Sequence, residues 1–501
     1  MKYYRFHHTK LYGSVTLYLS LTFTLVFALI IYTIESCRLD ALTARAEGIS
    51  YLSVDSLFAN YCIPLFEDYG LFCINEQGLN LNDELKRYAS INGSMPDSFF
   101  SDNKSFLCTD DANVNINSLT YITDNDCEEF VNQVCDYVKY MEISSLAEDL
   151  MLYVQNDYPE VYSNDENGSP KISLDSIDTD SLKNYIPSSS DDKTTNIEIK
   201  DIDASTFEDS IKERIGHIIK NGFLSFIVKD PATVSSLSVD KITFPSVTCQ
   251  LTEDGINASY GYYKDVSDAT YKKACFCEYI AQTFDSYTSV DNGCSDTDSA
   301  LKYQMEYVIY GSPDDDVNLI NCSLQLVALR TGFNLIHLFT DKDKFNAALK
   351  IAESTPKPPI PGATYVIQMG ILTAWATAEA VIDVRDLLEG KSVSLFKTSD
   401  QWSLSLQGLK NFSKNTLSLN KGNNGLSYEK YLEMLLAVQN NISVYYRTLD
   451  LIQMNICNEY SKDFRISRCV TGIDATITYN ISFLFLNRNC KYKSKINYKY
   501  N

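Results

Sequence analysis

The sequence predicts an α+β protein: an N-terminal transmembrane helix continuing into a stalk helix, then helices packed on a small antiparallel sheet. Three observations predict it. Residues 14–34 form a charge-free apolar run. Apolar residues recur at helical spacing in several segments between 206 and 457. Cys469–Phe485 alternates and reads as a closing strand.

The first element follows from length. Ser14–Ile34 (SVTLYLSLTFTLVFALIIYTI) has 21 residues and no charge. As a helix it is about 31 Å long, the thickness of a bilayer's hydrocarbon core. Lys2, Arg5 and Lys10 precede it, and no Asp or Glu occurs before Glu35. Basic residues stay on the cytoplasmic side, so residues 1–13 are expected in the cytoplasm and the bulk of the chain outside, as a single-pass cell-membrane protein. Three fates compete for the segment: a retained anchor, a cleaved signal peptide, and prepilin-type cleavage after Gly13. The run is long for a signal peptide and ends in Ile34-Glu35-Ser36-Cys37-Arg38, a poor cleavage site, which favours retention.

Helical spacing continues through Leu39, Leu42, Ala46, Ile49, Val54, Leu57, Phe58 and Tyr61 until Pro64, so a stalk helix is expected to leave the membrane without a break. The membrane-proximal region 35–155 then holds a weakly patterned polar stretch to about Asp124 and a helix from Cys127 to about Val154. Residues 156–205 are rich in Asp, Ser, Asn and Thr, with Pro159, Pro170 and Pro187, and read as an acidic flexible linker or insertion.

An exported α+β domain is expected over 206–487. Its helices are expected at 206–228, 268–287, from Asp314 to about Phe339, 341–353, Ala363–Leu388 and Ser427–Cys457. The acids Asp314, Asp315 and Asp316 favour a helix N-terminus. Strands are expected where Leu301, Tyr303, Met305, Tyr307 and Ile309 alternate, at Lys391–Lys397 and at Cys469–Phe485. Ala363–Ala378 carries no charge, but it holds Gln368 and runs into Glu379, so a buried core helix is preferred to a second span. The tail, 488–501, is basic and expected to fray.

Composition bounds the function. The chain of 501 residues carries a net charge of −22, which argues against a nucleic-acid partner. Its 14 cysteines are too few for a disulfide scaffold. Cys62 and Cys73 flank the Pro64 turn; Cys127 and Cys135 are two helical turns apart, too far to bridge each other; Cys275 and Cys277 point to different helix faces. Buried small hydrophobes and scattered disulfides are both open readings.

Motifs for chemistry are sparse. There is no HExxH, no GxSxG, no P-loop and no Rossmann fingerprint. His217 and His337 are the only histidines beyond the N-terminus, too few for histidine-based metal or triad chemistry. The acidic stretch Asp291–Asp298 offers oxygen ligands but lacks EF-hand order and the closing Glu. Glu379, Asp383, Arg385 and Asp386 are the most suggestive group, because Glu379 and Asp383 share one face of an apolar helix. Paired carboxylates can hydrolyse glycans; the competing expectation is a structural cluster in which Arg330 or Arg385 pairs with one of them. No catalytic residue, cofactor or metal is expected, and the chain is read as non-enzymatic.

Several blocks resemble a known group. Gly13-Ser-Val-Thr-Leu-Tyr-Leu-Ser-Leu21 followed by Glu35-Ser-Cys-Arg-Leu39, with Met305–Gly311, Ala374–Leu388, Gly425–Tyr431 and Phe464–Cys469, resembles a family of unknown function from Gram-positive bacteria, with one N-terminal span and a large exported domain. That resemblance implies association with tight-adherence (Tad) pilus genes. The N-terminal block is similar to TadE and TadG pseudopilins, which hold an acid five residues after the processing glycine. Tyr18 stands there in this chain, which points to an uncleaved subunit.

The reading that follows is a membrane-anchored accessory component of a Tad-like pilus or secretion assembly. Its partners are the lipid bilayer and other assembly membrane proteins, docked through a span whose Thr16, Ser20, Thr22 and Thr24 allow close helix packing. A cell-wall hydrolase using Glu379 and Asp383 is the alternative from another class, and a surface-binding module is a third.

Overall fold

The computed structural model describes residues 12–93, 110–139, 222–241, 243–248, 266–291, 299–355, 362–410, 425–483, 485 and 488–500. The linker expected at 156–205, most of the helix expected at 206–228, His217 and the acids from Asn292 to Asp298 lie outside these residues. The chain divides into two compact units, Met1–Asp124 with Arg465–Asn501, and Asn125–Phe464.

The first unit is organised by α1 (Tyr12–Phe58), a 47-residue helix whose two halves meet different surroundings. Along 15–34 its large apolar side chains lie open, Leu17 at 68% and Phe23 at 66% exposure. Soluble proteins rarely leave such a surface bare; a lipid-facing helix requires it. The hydroxyls of Thr22, Thr24 and Thr33 bond back to Leu19, Leu21 and Ile30 carbonyls, so the polar atoms on this face are satisfied within the helix.

Beyond Ile34 the same helix becomes a core element. Leu42, Ala46, Ile49, Val54, Leu57 and Phe58 are buried. All but Leu42 share one core with α3 (Leu81–Gly93) and a four-stranded antiparallel sheet. The short helix α2 (Ile63–Tyr69) separates α1 from β1 (Ile74–Asn75), and Gly70 ends α2 in the left-handed conformation at φ 66°. Strand β3 (Cys469–Ser482) is central, and β2 (Asp110–Tyr121) pairs along one of its edges. β1 and β4 (Asn489–Lys499) follow each other along the opposite edge. Two contacts lock α1 to β3. Arg38, buried where the helix leaves its bare stretch, donates to Glu35 Oε1 at 3.1 Å and to the Ser482 carbonyl at 2.9 Å. Ser50 and Tyr479 hydroxyls meet at 2.8 Å.

The tail does not fray. Lys491, Lys493, Lys495 and Lys499 line the exposed face of β4, while Tyr492, Ser494, Ile496 and Tyr498 turn inward. Its basic residues are the outer half of a period-two strand, and lysines on an unpaired edge discourage further strand addition.

The second unit is helical. Its principal elements are α4 (Asp124–Lys139), α5 (Phe223–Ile227), α6 (Val266–Thr283), α7 (Gln304–Tyr310), α8 (Asp315–Thr340), α9 (Lys342–Ser354), α10 (Ala363–Leu388), α11 (Tyr428–Val438) and α12 (Asn441–Glu459). Helix α4 opens on a left-handed turn in which Asn125, Asp126 and Cys127 all have positive φ. Helices α8, α9 and α10 share one core built on Leu338, Ala348, Ile371, Trp375 and Ile382.

Three expectations change here. The alternating segment 301–309 is not a strand: α7 buries Gln304 to Ile309 on every side, so apolar residues of either parity satisfy it. Lys391–Lys397 contributes only one bridge, Val393 to Leu426. The helix expected over Ser427–Cys457 is two, because Asn440 stops α11 and caps α12 by accepting from Ile442 N at 3.0 Å.

Among the described residues three helices are long and apolar enough to cross a membrane: the one containing residues 15–34, α8 and α10. Only α1 leaves its apolar run bare. Helices α8 and α10 bury 44% and 61% of theirs and carry Arg330, Glu379 and Asp383 inside the unit.

Candidate functional site

The second unit contains four charged side chains at a single buried point. Glu379 and Asp383 stand one turn apart on α10 and face α8, which supplies Arg330; Lys397 comes from the segment after α10. Side-chain exposure is 0% for Arg330, Glu379 and Asp383 and 3% for Lys397. Two cations and two anions in one cavity leave no net charge, which makes the burial tolerable.

Each partner is held from several directions. Arg330 donates through Nε and Nη2 to Asp383 Oδ2 at 3.0 and 2.9 Å. Its Nη1 donates to the Ser394 and Leu395 carbonyls and to Tyr431 Oη at 3.0, 2.7 and 3.0 Å. Asn334, one turn on from Arg330, also donates to Asp383 Oδ2, at 3.1 Å. Glu379 accepts at Oε1 from Lys397 Nζ at 2.5 Å and from Ser403 N at 2.9 Å, and at Oε2 from Leu404 N at 2.8 Å. Lys397 Nζ also makes an ion pair with Asp383 Oδ1, yet that oxygen receives no aligned hydrogen bond.

An aromatic wall borders the cluster. Trp375 and Trp402 meet edge to face at 5.7 Å, and both indole N–H groups donate to the Leu404 carbonyl at 2.8 Å. His337 stacks on Trp402 at 5.1 Å, and burial together with the nearby Lys344 ammonium holds its imidazole below the usual value.

Of the residues singled out in the sequence, Glu379 and Asp383 share one buried cluster, and the arginine that pairs with one of them, Asp383, is Arg330. Arg385 instead pairs with Glu389 at 3.0 Å, and Asp386 with Lys391 at 2.8 Å. Lys397 was not foreseen: it sits in a segment without helical period, and only the fold returns it to α10. No group of three or more metal-ligating side chains occurs among the described residues. Cys135 on α4 and Cys275 on α6 are neighbouring free thiols whose protonation is linked, a pairing that neither residue's helical spacing announces.

A second buried acid lies on α7. Glu306 Oε1 accepts from Tyr287 N at 3.0 Å and from Tyr428 Oη at 2.8 Å, while Oε2 has no hydrogen-bond partner. Burial pushes its carboxyl up to about 7, more than these two donors pull it down.

Chemically, the four-charge cluster can lock α8, α10 and the 394–404 segment together. It offers no open cleft to a substrate, because every charged tip is enclosed. No curated protein and no solved structure matches the chain. Residues 203–481, which include all of this cluster and more than half of the chain, match a family of unknown function, DUF5702, and the chain belongs to that family.

Proposed function

We propose that the protein is a membrane-anchored, extracytoplasmic structural component of a Tad-like pilus or secretion assembly, retained on an uncleaved N-terminal span. The observation that supports this reading is α1. One unbroken helix has a bare apolar half suited to lipid and a second half built into the core of the sheet. Such a helix transmits the position of the membrane to the folded chain without a hinge. The link to a pilus rests on the resemblance of the N-terminal block, and Tyr18 in place of an acid favours retention over processing.

Three measurements test it. Protease added to intact protoplasts is expected to digest the bulk of the chain; protection of 300–480 until lysis would reverse the topology. N-terminal sequencing of the membrane-extracted protein is expected to find residues before Ser14, and a chain beginning at Ser14 would make it a processed pseudopilin instead. Affinity isolation of the membrane-extracted chain is expected to recover pilus-assembly membrane proteins, and their absence after in-membrane cross-linking would remove the assembly role. The enclosure of Glu379 and Asp383 favours a structural over a hydrolytic part for them. Release of fragments from purified cell wall, lost in a folded Glu379→Gln variant, would promote the hydrolase.

A further inference from the structure

We propose that Lys397 and Asp383 join covalently, through an amide between Lys397 Nζ and Asp383 Cγ, and that Glu379 is the base that enables it. The three groups stand in the relation this condensation needs. An amine is pressed against one carboxylate as its electrophile, and a second carboxylate, bonded to the same amine, is placed to carry its protons.

The hydrogen-bond pattern assigns each atom a part. Asp383 Oδ2 is already saturated by Arg330 Nε, Arg330 Nη2 and Asn334 Nδ2. These donors are where an oxyanion hole would be, since negative charge gathers on Oδ2 when nitrogen adds to Cγ. Asp383 Oδ1, in contrast, touches Lys397 Nζ but takes no aligned hydrogen bond from it, so it is the oxygen free to leave. Glu379 keeps Ser403 N and Leu404 N whatever happens to Lys397, so its carboxylate stays in position throughout.

The step balances without a co-reactant. Glu379 Oε1 takes one proton from the Lys397 ammonium, and the amine lone pair forms the N–Cγ bond. The Cγ–Oδ1 bond then breaks. Of the three ammonium protons, one stays on the amide nitrogen and two leave with Oδ1 as water, the first of them returned by Glu379. Nothing is oxidised or reduced. One cation and one anion vanish together, so the cavity remains neutral, and Arg330 and Glu379 keep the bonds they make to backbone groups.

Burial sets the direction of the reaction. In water a carboxylate and an ammonium are well solvated and resist condensation. Here both are enclosed, and removing two ions from a low-dielectric interior relieves the cost of having desolvated them. The side chains around the new bond are enclosed, which opposes the return of water and the reverse hydrolysis. The product closes a covalent ring between α10 and the segment that follows it. It would stiffen the unit whichever assembly the chain serves, so the inference does not depend on the function proposed above.

Mass decides it. The full chain, extracted in detergent and denatured, is expected to be one water lighter than its sequence. Proteolysis is expected to yield one branched product containing both Asp383 and Lys397. The full sequence mass would overturn the proposal. So would the loss of one water with the two peptides recovered separately, since that is the signature of a cyclised aspartate. Lys397→Arg keeps a cation but has no condensable amine, and it is expected to restore the full mass. Glu379→Gln is also expected to restore it; a branched product in that variant would overturn the role given to Glu379. The wild-type result stands even if both variants fold poorly.

Discussion

Glu306 makes stability in the second unit depend on pH in a calculable way. Its carboxyl is enclosed by α7, Tyr287 and Tyr428, and burial pushes it up to about 7 from a usual 4.5. A raised carboxyl is one that the folded chain prefers protonated. Its contribution is therefore complete below pH 4.5, declines as pH rises toward 7, and is gone above that. Each pH unit in the window is worth about 1.4 kcal/mol, so the whole decline is roughly 3 kcal/mol. Glu306→Gln keeps an oxygen for Tyr287 N–H and Tyr428 Oη and cannot ionise. It places an amide where Oε2 lacks a partner, which adds an offset independent of pH. Unfolding of the detergent-solubilised chain, followed by the fluorescence of Trp375 and Trp402 from pH 4.5 to 8, measures both forms. The variant is expected to gain roughly 3 kcal/mol on the wild type across the window. The buried acids Asp450 and Glu433 are also raised by burial, but they are common to both chains and cancel; Asp315 helps to raise Glu306, so their mutual repulsion is part of the difference measured. Parallel pH profiles would refute the reasoning, because they would mean that Glu306 is either ionised or solvated in the fold.

Other perturbations separate packing from charge. Gly311 follows α7 with φ 84°, and an added Cβ would stand 2.5 Å from Arg447 Nε, whose Nη1 donates to the Val308 and Ile309 carbonyls. Gly311→Ala is expected to cost about 2–3 kcal/mol in the same unfolding assay, part from the left-handed backbone and part from displacing Arg447. Gly425 lies directly against the Val393 backbone, so Gly425→Ala is expected to break the reciprocal Val393–Leu426 hydrogen bonds of 3.0 and 2.9 Å. Faster amide exchange at both residues reports it; unchanged exchange would mean the bridge does not hold the 394–404 segment. The hydrogen bond from Cys135 lowers the Cys275 thiol to about 7, so a mild thiol oxidant at neutral pH is expected to join this pair. Non-reducing peptide maps check it, and a Cys275→Ser chain should lack the linked peptide.

The parts of the fold legible in the sequence are those where one surface is apolar and another is not. The bare half of α1 and its buried half differ in composition, and both were readable, as was the inward face of β3. Where burial surrounds an element, periodicity loses its meaning. Helix α7 passed for a strand because Met305, Tyr307 and Ile309 are buried, but so are Gln304, Glu306 and Val308. The lysines of β4 mask a strand for the opposite reason: charge on alternate residues makes the segment basic overall, although Tyr492, Ile496 and Tyr498 between them face inward. The break between α11 and α12 did have a signal in Asn440-Asn441, since asparagine serves as a helix N-cap.

The buried cluster was half legible, for a reason that bears on what it does. Glu379 and Asp383 are four residues apart on an apolar helix, and acids in that setting must find cations or neutralise. Spacing therefore announces that a partner exists. It does not say which one, because the partner is chosen by tertiary contact: Arg330 is 53 residues from Asp383, and Lys397 follows a helix end and a turn. Had the acids served only to be neutralised, one arginine per carboxylate held by side-chain contacts would suffice. The fold instead gives Asp383 two cations on different oxygens and gives Glu379 two backbone amides besides its lysine. Neutral charge leaves that asymmetry unexplained. It is the arrangement expected where one carboxylate is to be attacked and the other kept fixed as the proton carrier.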